Sequence, residues 1–369
     1  MRNGVDELRV IPSQLRLARE AVALSVEEAC QQLRVEAEEL QQWERGTTEP
    51  PVEQLWELSE LYGRATDFFL KRTPPPPTEI SFRLRGKRGL RDLSIEARRA
   101  MARFEELCRA ADELERITNT PRSVKLIRAS GEEDSGRLAE SERRRLGADG
   151  NPIENLRDLL ERQGVRTFEL PVSHSEFSGF SWWHEQYGPC IMVNGRDDPG
   201  RRTFSFAHEY AHLLKTRVAY VCDPLAETNG ADERFADGFA AVFLMPAADL
   251  VSTFNSRGLS ASTLNVKQLA SLAGRYSASL QATAIRLEEL GLVPRERAQS
   301  LVPQWQGHPR RPKTPAWERR LGRTYVSLAS AAYEEGHISV GKLADYLGLS
   351  LRKAIAFAEE ADKKRQKET

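Results

Sequence analysis

The stretch that most constrains this chain is residues 203–215, TFSFAHEYAHLLK, which contains the pattern His-Glu-x-x-His. No proline or glycine interrupts it, so it can form one helix. His208 and His212 are four residues apart and therefore share a helix face. Two imidazoles so placed can bind one zinc ion, and Glu209 lies next to them, within reach of a water on that ion. The sequence thus predicts a zinc-binding helix.

A chance match is the alternative, because a five-residue pattern with three fixed positions recurs by accident. The residues around the pattern are apolar, however: Phe204, Phe206, Ala207, Ala211, Leu213 and Leu214. Burying two histidines and a glutamate among such residues costs free energy unless a metal ion binds them. The surroundings therefore favour a metal site.

A second helix is predicted from Ala231 to Pro246, ADERFADGFAAVFLMP, with an apolar pattern of helical period. Glu233 and Asp237 lie one turn apart and can face the same direction. We predict Glu233 as the third zinc ligand, with Asp237 as the substitute. An exposed acidic first turn is the alternative, but Glu233 begins an otherwise apolar helix.

Length and composition suggest two or three globular domains, since the chain has 369 residues, 40% hydrophobic and 29% charged. Its formal net charge is zero, which does not indicate a general polyanion binder. Four cysteines lie far apart in sequence, so free buried thiols are expected. The N-terminus lacks an apolar signal-peptide core, and no stretch of about 18 apolar residues occurs. A cytoplasmic protein with no membrane contact is predicted.

Residues 1–72 are predicted to form an all-α domain, in which Ser25 and Glu28 make a capping box. The helix breaks and apolar positions resemble the Cro/repressor-type helix-turn-helix domain, called XRE. The matching residues are Leu15, Arg19, Ser25, Glu28, Ala29, Leu33, Val35, Leu40, Trp43, Glu44, Gly46, Pro50, Leu55 and Leu61.

The charge of this domain does not favour tight DNA binding. Residues 1–72 contain 9 Lys/Arg and 14 Asp/Glu, a net charge of −5. The predicted recognition helix, VEAEELQQWE, has four glutamates and no basic residue, and acidic groups oppose phosphate binding. Gln41, Gln42 and Arg45 are the candidate DNA contacts. We expect weak DNA binding through this domain or basic linkers, with protein binding or homodimer formation as the alternative.

The remaining chain divides into three parts. Residues 73–150 are predicted as a linker and a helix: a stiff proline segment at 73–77, a basic segment at 83–103, a helix from Ser94 to Thr118, and a polar, mobile segment at 128–150. From 151 to 295 the pattern becomes α+β, with short strands before the two predicted metal-binding helices. Residues 296–369 are predicted as a basic linker and a C-terminal helical domain.

The sequence RRTFSFAHEYAHLL followed by ERFADGFAAVFLMP resembles the ImmA/IrrE family of zinc metallopeptidases over roughly residues 150–295. The resemblance implies that His208, His212 and Glu233 bind Zn²⁺ in a gluzincin-like ligand set and that Glu209 is the general base. Asp237 stands where the family often has Asn. The implied fold is predominantly helical α+β, with a central zincin-like metallopeptidase domain and a small sheet.

The resemblance also implies a function, the cleavage of a helix-turn-helix repressor or antitoxin-like protein in transcription, stress or defence regulation. The alternative is a DNA-binding transcriptional regulator or antitoxin whose peptidase-like domain is a sensor or protein-binding module. Peptide cleavage also needs a donor for the oxyanion. Tyr210, His184, Tyr187 and His174 are candidates, and the sequence does not choose among them.

Overall fold

The computed structural model describes residues 10–70, 91, 93–129, 134–173, 177–216, 220–222, 230–306 and 315–368, and only the backbone of 220–222 and 362–368. The predicted proline segment 73–77 lies outside these residues, as do residues 83–90 and 92 of the predicted basic segment 83–103. His174 also lies outside them.

The N-terminal region is all-α, as predicted, and contains a bundle of four helices. They are α1 (Pro12–Ala21), α2 (Val26–Leu33), α3 (Ala37–Arg45) and α4 (Val52–Tyr62), followed by a 3-10 helix (Thr66–Leu70). The predicted capping box begins α2: Ser25 Oγ accepts from the Glu28 amide at 3.1 Å, and the Glu28 carboxylate accepts from the Ser25 amide at 2.8 Å. Gly46 ends α3 with a φ of +76°, which glycine adopts without steric cost.

A nearly buried ion pair joins α1 to α3. Arg19 Nε and Nη2 donate to the two carboxylate oxygens of Glu44 at 2.7 and 2.9 Å. Only 10% and 8% of these two side chains is exposed. Such two-point geometry is the strong form of an ion pair. The charge of Glu44, counted above against DNA binding, is therefore balanced inside the bundle.

One long helix, α5 (Ile95–Ile117), connects this bundle to the rest of the chain at close to the predicted bounds. Ser94 caps it, because its Oγ accepts from the third amide of the helix at 3.1 Å. Near its start, Arg98 Nη1 donates to the carbonyls of Val22 and Ala23 at 3.2 and 2.7 Å. The beginning of α5 is thus fastened to the turn after α1.

The segment 128–150 contains a helix, α6 (Ser135–Arg145), so the prediction of a mobile segment was wrong. Asp134 caps the helix by accepting two amides of its first turn at 3.1 and 3.2 Å. The buried face of α6 includes the charged residues Glu142 and Arg143. A polar composition therefore concealed a helix that packs in the core.

A four-stranded sheet lies at the centre, in the order β1-β3-β2-β4. The strands are β1 (Arg166–Leu170), β2 (Gly179–His184), β3 (Gly188–Asn194) and β4 (Tyr220–Cys222). β1 is parallel to β3, and β2 is antiparallel to β3 and β4. Alternate residues of a strand face opposite sides. Ile191 and Val193 accordingly enter one core, whereas Cys190 and Met192 enter another.

The first core lies between one face of the sheet and a group of helices that follows α5. These are α6 with α7 (Leu156–Arg162), α8 (Pro199–Lys215), α9 (Ala231–Leu244), α10 (Ala247–Ser256), α11 (Val266–Arg275), α12 (Leu280–Glu289) and α13 (Arg295–Leu301). Both predicted metal-binding helices, α8 and α9, belong to this core.

The second core covers the other face of the sheet. It contains α5 and the C-terminal helices α14 (Ala316–Leu321), α15 (Arg323–Glu334), α16 (Val340–Leu347) and α17 (Leu351–Glu368). The ring of Phe168 on β1 lies 5.9 Å from that of Phe104 on α5 and 5.7 Å from that of Tyr325 on α15. The C-terminal helices therefore pack on the sheet, and the domain boundaries given above stay predictions.

The predicted class, predominantly helical α+β with an N-terminal helix-turn-helix region, is confirmed. Three of the four cysteines, Cys30, Cys108 and Cys190, are buried and free, as expected. Among the described residues no single helix has the length and apolarity to cross a membrane. The bent pair Ala231–Leu244 and Ala247–Ser256 meets those criteria only when its two helices are taken together.

The Arg19–Glu44 pair allows a test of the N-terminal bundle. Arg19→Ala leaves the carboxylate of Glu44 desolvated and without its partner, so we expect the free energy of unfolding to fall by about 3 kcal/mol. Urea denaturation, followed by the fluorescence of the buried Trp43, measures this change.

Arg16→Ala is the matched control, because Arg16 pairs with Glu20 on the same helix with 66% and 49% of the two side chains exposed. An exposed pair contributes little, so the control keeps nearly the parent midpoint. Equal effects of the two substitutions would contradict the structural role of the Arg19–Glu44 pair.

Candidate metal centre

Helix α8 carries the predicted histidines and glutamate into the first core. Asp198 caps it by accepting the amides of its first turn at 3.0 Å, and a proline occupies its first position. His208 is 7% exposed, His212 2% and Glu209 0%. The apolar surroundings inferred from the sequence are therefore those of a buried helix.

The side chains of His208, His212 and Glu233 converge where α8 packs on α9. His208 Nε2 lies 3.2 Å from His212 Nε2 and 3.1 Å from Glu233 Oε2, and His212 Nε2 lies 3.9 Å from Glu233 Oε1. Ligands at about 2.0–2.1 Å from a tetrahedral zinc ion are separated by about 3.3 Å. These three residues could therefore hold a metal ion with little movement.

Asp237 occupies a different place from the one predicted. Its Oδ1 lies 2.8 Å from Nδ1 of His208, the ring nitrogen that faces away from Glu233. The metal-ligand group found in the described part of the chain includes Glu233 and not Asp237. Asp237 thus does not fit the role of a substitute ligand. It orients the His208 ring, as carboxylates behind metal-binding histidines do.

The electrostatics of the centre favour a bound cation. Burial disfavours protonation of His208, but the hydrogen bonds of Asp237 and Glu233, together with the charge of Glu209, raise its pKa to about 10. A metal ion at Nε2 would replace that proton and balance the same carboxylates. The donor set therefore suits a divalent cation.

Glu209 is packed against the backbone of β2. A methyl group added to Gly179 would lie 2.5 Å from Glu209 Oε1 and 2.9 Å from its Cγ. Such distances require glycine, because something must otherwise shift. Sequence analysis missed this contact, although a glycine inside a predicted strand often marks a close approach.

Tyr210, one of the predicted oxyanion donors, points into the core away from the converging ligands. It is fully buried, and its ring lies 6.2 Å from that of Phe239. Its hydroxyl donates a hydrogen bond to the carboxylate of Glu142 on α6 and accepts one from Arg145 Nη2, also on α6, at 3.4 Å. Tyr210 therefore anchors α8 to α6, and the prediction of an oxyanion contact was wrong.

His184 and Tyr187 also lie far from the centre. His184 ends β2, about 16 Å along the strand from Gly179, since each residue of a strand advances about 3.3 Å. Its Nδ1 accepts the amides of Gln186 and Tyr187 at 3.1 Å each, and its ring stacks on Tyr187 at 4.2 Å. Burial lowers the pKa of His184. The structure thus assigns it to a turn, and the predicted catalytic contact was wrong.

The predicted DNA contacts lie on α3. Arg45 Nη2 donates to Gln41 Oε1 at 2.5 Å, and Gln42 Nε2 donates to Glu38 Oε1 at 3.3 Å. These bonds join residues one turn apart on the surface of the helix. The side chains are therefore at the surface of the predicted recognition helix, and their contact with DNA stays a prediction.

Gly179→Ala tests the packing of β2 on Glu209. The added methyl group must displace either the strand or the carboxylate, so we expect the free energy of unfolding to fall by about 1–3 kcal/mol. Thermal denaturation of the full chain measures the loss.

Gly274→Ala is the control, because Gly274 lies in α11 with open space around its Cα. Alanine in a helix is favoured over glycine by about 0.5–1 kcal/mol, so this variant is expected to gain stability. A Gly179→Ala protein as stable as the parent would show that Glu209 is not held as described.

Comparisons with known proteins match two parts of this chain. Residues 160–288 match the family model described as the IrrE N-terminal-like domain, peptidase M78, and residues 15–69 match a helix-turn-helix model. The first span includes α8 and α9, and the second includes α2 and α3. No curated protein matches the chain. The chain therefore carries an N-terminal helix-turn-helix domain and an IrrE N-terminal-like domain of the M78 peptidase family, the architecture that the sequence predicted.

Proposed function

We propose that this protein is a zinc-dependent endopeptidase that regulates transcription, or a stress or defence response, by cleaving a helix-turn-helix repressor or antitoxin-like protein. A regulatory role is supported by a helix-turn-helix domain joined to a peptidase-family domain. The single observation that supports zinc-dependent peptidase activity is the convergence of His208, His212 and Glu233 beside Glu209.

Zinc is the proposed metal because of the donor set. Two imidazole nitrogens and one carboxylate oxygen leave a fourth tetrahedral position open, which is typical of catalytic rather than structural zinc. When bound there, zinc would lower the pKa of a water molecule and polarise a peptide carbonyl. His208 and His212 would bind the ion from α8, and Glu233 from α9, with Asp237 fixing the ring of His208.

Glu209 is the proposed general base. It adjoins His208 on α8, and the backbone of β2 at Gly179 limits the movement of its carboxylate. From this position its carboxylate would take a proton from the attacking water and later deliver it to the leaving amine. The core around α8 keeps bulk water from this carboxylate, which is fully buried.

The substrate class is proposed from the resemblance to the ImmA/IrrE family and from the N-terminal domain. That domain has a net acidic charge, and its Glu44 is balanced by Arg19. Weak DNA binding through Gln41, Gln42 and Arg45 would place the peptidase near DNA-bound repressors. A homodimer is compatible with this arrangement, as it is with the known symmetry of many helix-turn-helix operators.

Glu209→Gln tests the proposed mechanism. The amide does not accept the proton, so cleavage of the partner should fall by about 10²–10⁴-fold, whereas one zinc ion per chain should remain bound. The partner is first captured with the variant and then incubated with the parent protein, and its fragments are followed by mass spectrometry.

Glu140→Gln, the same change at an exposed position of α6, is the control and should cleave normally. Normal cleavage by Glu209→Gln would contradict the assignment of the base. A parent protein that leaves the captured partner intact would instead favour the alternative, a DNA-binding regulator whose peptidase-like domain is a sensor or protein-binding module.

The ligand set is tested by zinc affinity, measured by competition with a chelator of known affinity. Asp237→Asn weakens the orientation of the His208 ring, so we expect a loss of about 10–100-fold. Glu233→Ala removes a ligand and should weaken binding further. Asp232→Asn is the control, since Asp232 of the same helix pairs with Lys215 at 3.2 Å. An effect of Asp232→Asn equal to that of Glu233→Ala would contradict the set.

A further inference from the structure

A groove of about 610 Å³ lies where the N-terminal bundle, α5 and the C-terminal helices meet. Its walls are formed by α4 and the turn after it, by the first half of α5, and by α14 and the end of α16. None of the proposed metal ligands lines it. The volume lies within the range of small-ligand sites, about 300–1,000 Å³.

Three further arginines line this groove: Arg99 and Arg103 on α5, and Arg320 on α14. Within the described residues, their side chains form neither an ion pair nor a hydrogen bond. Arg64, which also lines the groove, is held by Glu105 and Glu106.

The acidic side chains of the groove do not balance these arginines. Glu96 pairs with Arg196, which lies outside the groove, and Asp345 has a polar interaction of its own. The remaining carboxylate that lines the groove is that of Glu60, an exposed residue of α4. The groove thus presents three guanidinium groups against one uncommitted carboxylate, an excess of positive charge that attracts an anion.

The helix that carries Arg99 and Arg103 lies close to two glycines at helix ends. A methyl group on Gly63, at the end of α4, would lie 2.7 Å from the carbonyl oxygen of Arg99. A methyl group on Gly348, at the end of α16, would lie 3.7 Å from Nη2 of Arg103. The ends of α4 and α16 therefore lie close to the first half of α5, which carries Arg99 and Arg103.

An aromatic surface lies beside the positive charge. Trp56 on α4 lines the groove and is 62% exposed, an unusually large exposure for this residue. Trp317 on α14 lines another wall, and its ring packs on Phe357 with centroids 5.4 Å apart. The plane of Trp56 is thus available for stacking on a planar ring.

We propose that this groove binds a free nucleoside diphosphate. Guanidinium groups form paired hydrogen bonds with phosphate oxygens, and Arg99, Arg103 and Arg320 would take the two phosphates. The base would stack on Trp56, as bases stack on exposed aromatic side chains in other proteins. The groove has walls on three sides, which suits a free nucleotide better than a continuous nucleic acid strand. A ligand there contacts the helix-turn-helix region and the C-terminal helices at once.

Isothermal titration calorimetry of the full chain with ADP and with GDP tests this site, and adenosine and pyrophosphate serve as the separate halves of the ligand. We expect at least one diphosphate to bind at one molecule per chain, and each half to bind at least about tenfold more weakly. Trp56→Ala and Arg320→Gln remove exposed side chains, so they should fold normally and weaken binding by about tenfold each.

Trp305→Ala and Arg295→Gln are the controls, because both residues are exposed and neither lines the groove. Both should bind like the parent. The proposal is overturned if neither diphosphate binds at millimolar concentration, or if pyrophosphate binds as tightly as ADP and GDP. It is also overturned if the controls lose as much affinity as the groove variants, or if a short single-stranded oligonucleotide binds more tightly than both nucleotides. The outcome does not depend on zinc or on peptidase activity.

Discussion

The packing of α8 against α9 is the constraint on which the proposed centre depends, because each helix supplies part of the ligand set. Nitrogens of His208 and His212 approach the Glu233 carboxylate to 3.1 and 3.9 Å only while these two helices keep their spacing. Helix α6 braces that spacing from the opposite side. Its Glu142 accepts from Tyr210 of α8, and its fully buried Arg143 donates to the carbonyl of Phe243 at the end of α9. A buried charge is tolerated here because its hydrogen-bonding groups are satisfied by the backbone.

Helix α5, which packs on the second face of the sheet, connects the N-terminal bundle to the peptidase-family domain. The N-terminal bundle contacts α5 through Arg98, and Arg64 pairs with Glu105 of α5 at 2.9 Å. Asp67, just after α4, pairs with Lys342 of α16. The bundle therefore touches both α5 and the C-terminal helices, and α5 packs on the sheet that also supports α8. Packed contacts therefore run without a break from the N-terminal bundle through α5 and the sheet to α8.

Local signals predicted much of this structure. The capping box at Ser25 and the glycine after α3 each depend on residues within one turn, so sequence alone located the start of α2 and the end of α3. The spacing of His208 and His212 is likewise a property of one helix. Glu233 could be paired with them only because its own helix also had a clear apolar pattern.

Contacts between distant segments were not predictable in the same way. The role of Asp237 depends on which nitrogen of His208 faces it, and that is decided by the packing of α9 on α8. Tyr210 was misassigned because its partner, Glu142, lies in a segment whose polar composition concealed α6. The contact of Gly179 with Glu209 joins a strand and a helix about 30 residues apart in sequence. Such pairings are set by tertiary packing rather than by local propensity.

Anomalous diffraction at the zinc absorption edge, from crystals of the full chain grown with one equivalent of zinc, tests the central claim most directly. The predicted result is one strong peak at about 2.0–2.2 Å from His208 Nε2, His212 Nε2 and a Glu233 carboxylate oxygen. A peak bound by other residues, or a zinc-saturated protein with no peak between α8 and α9, would contradict it.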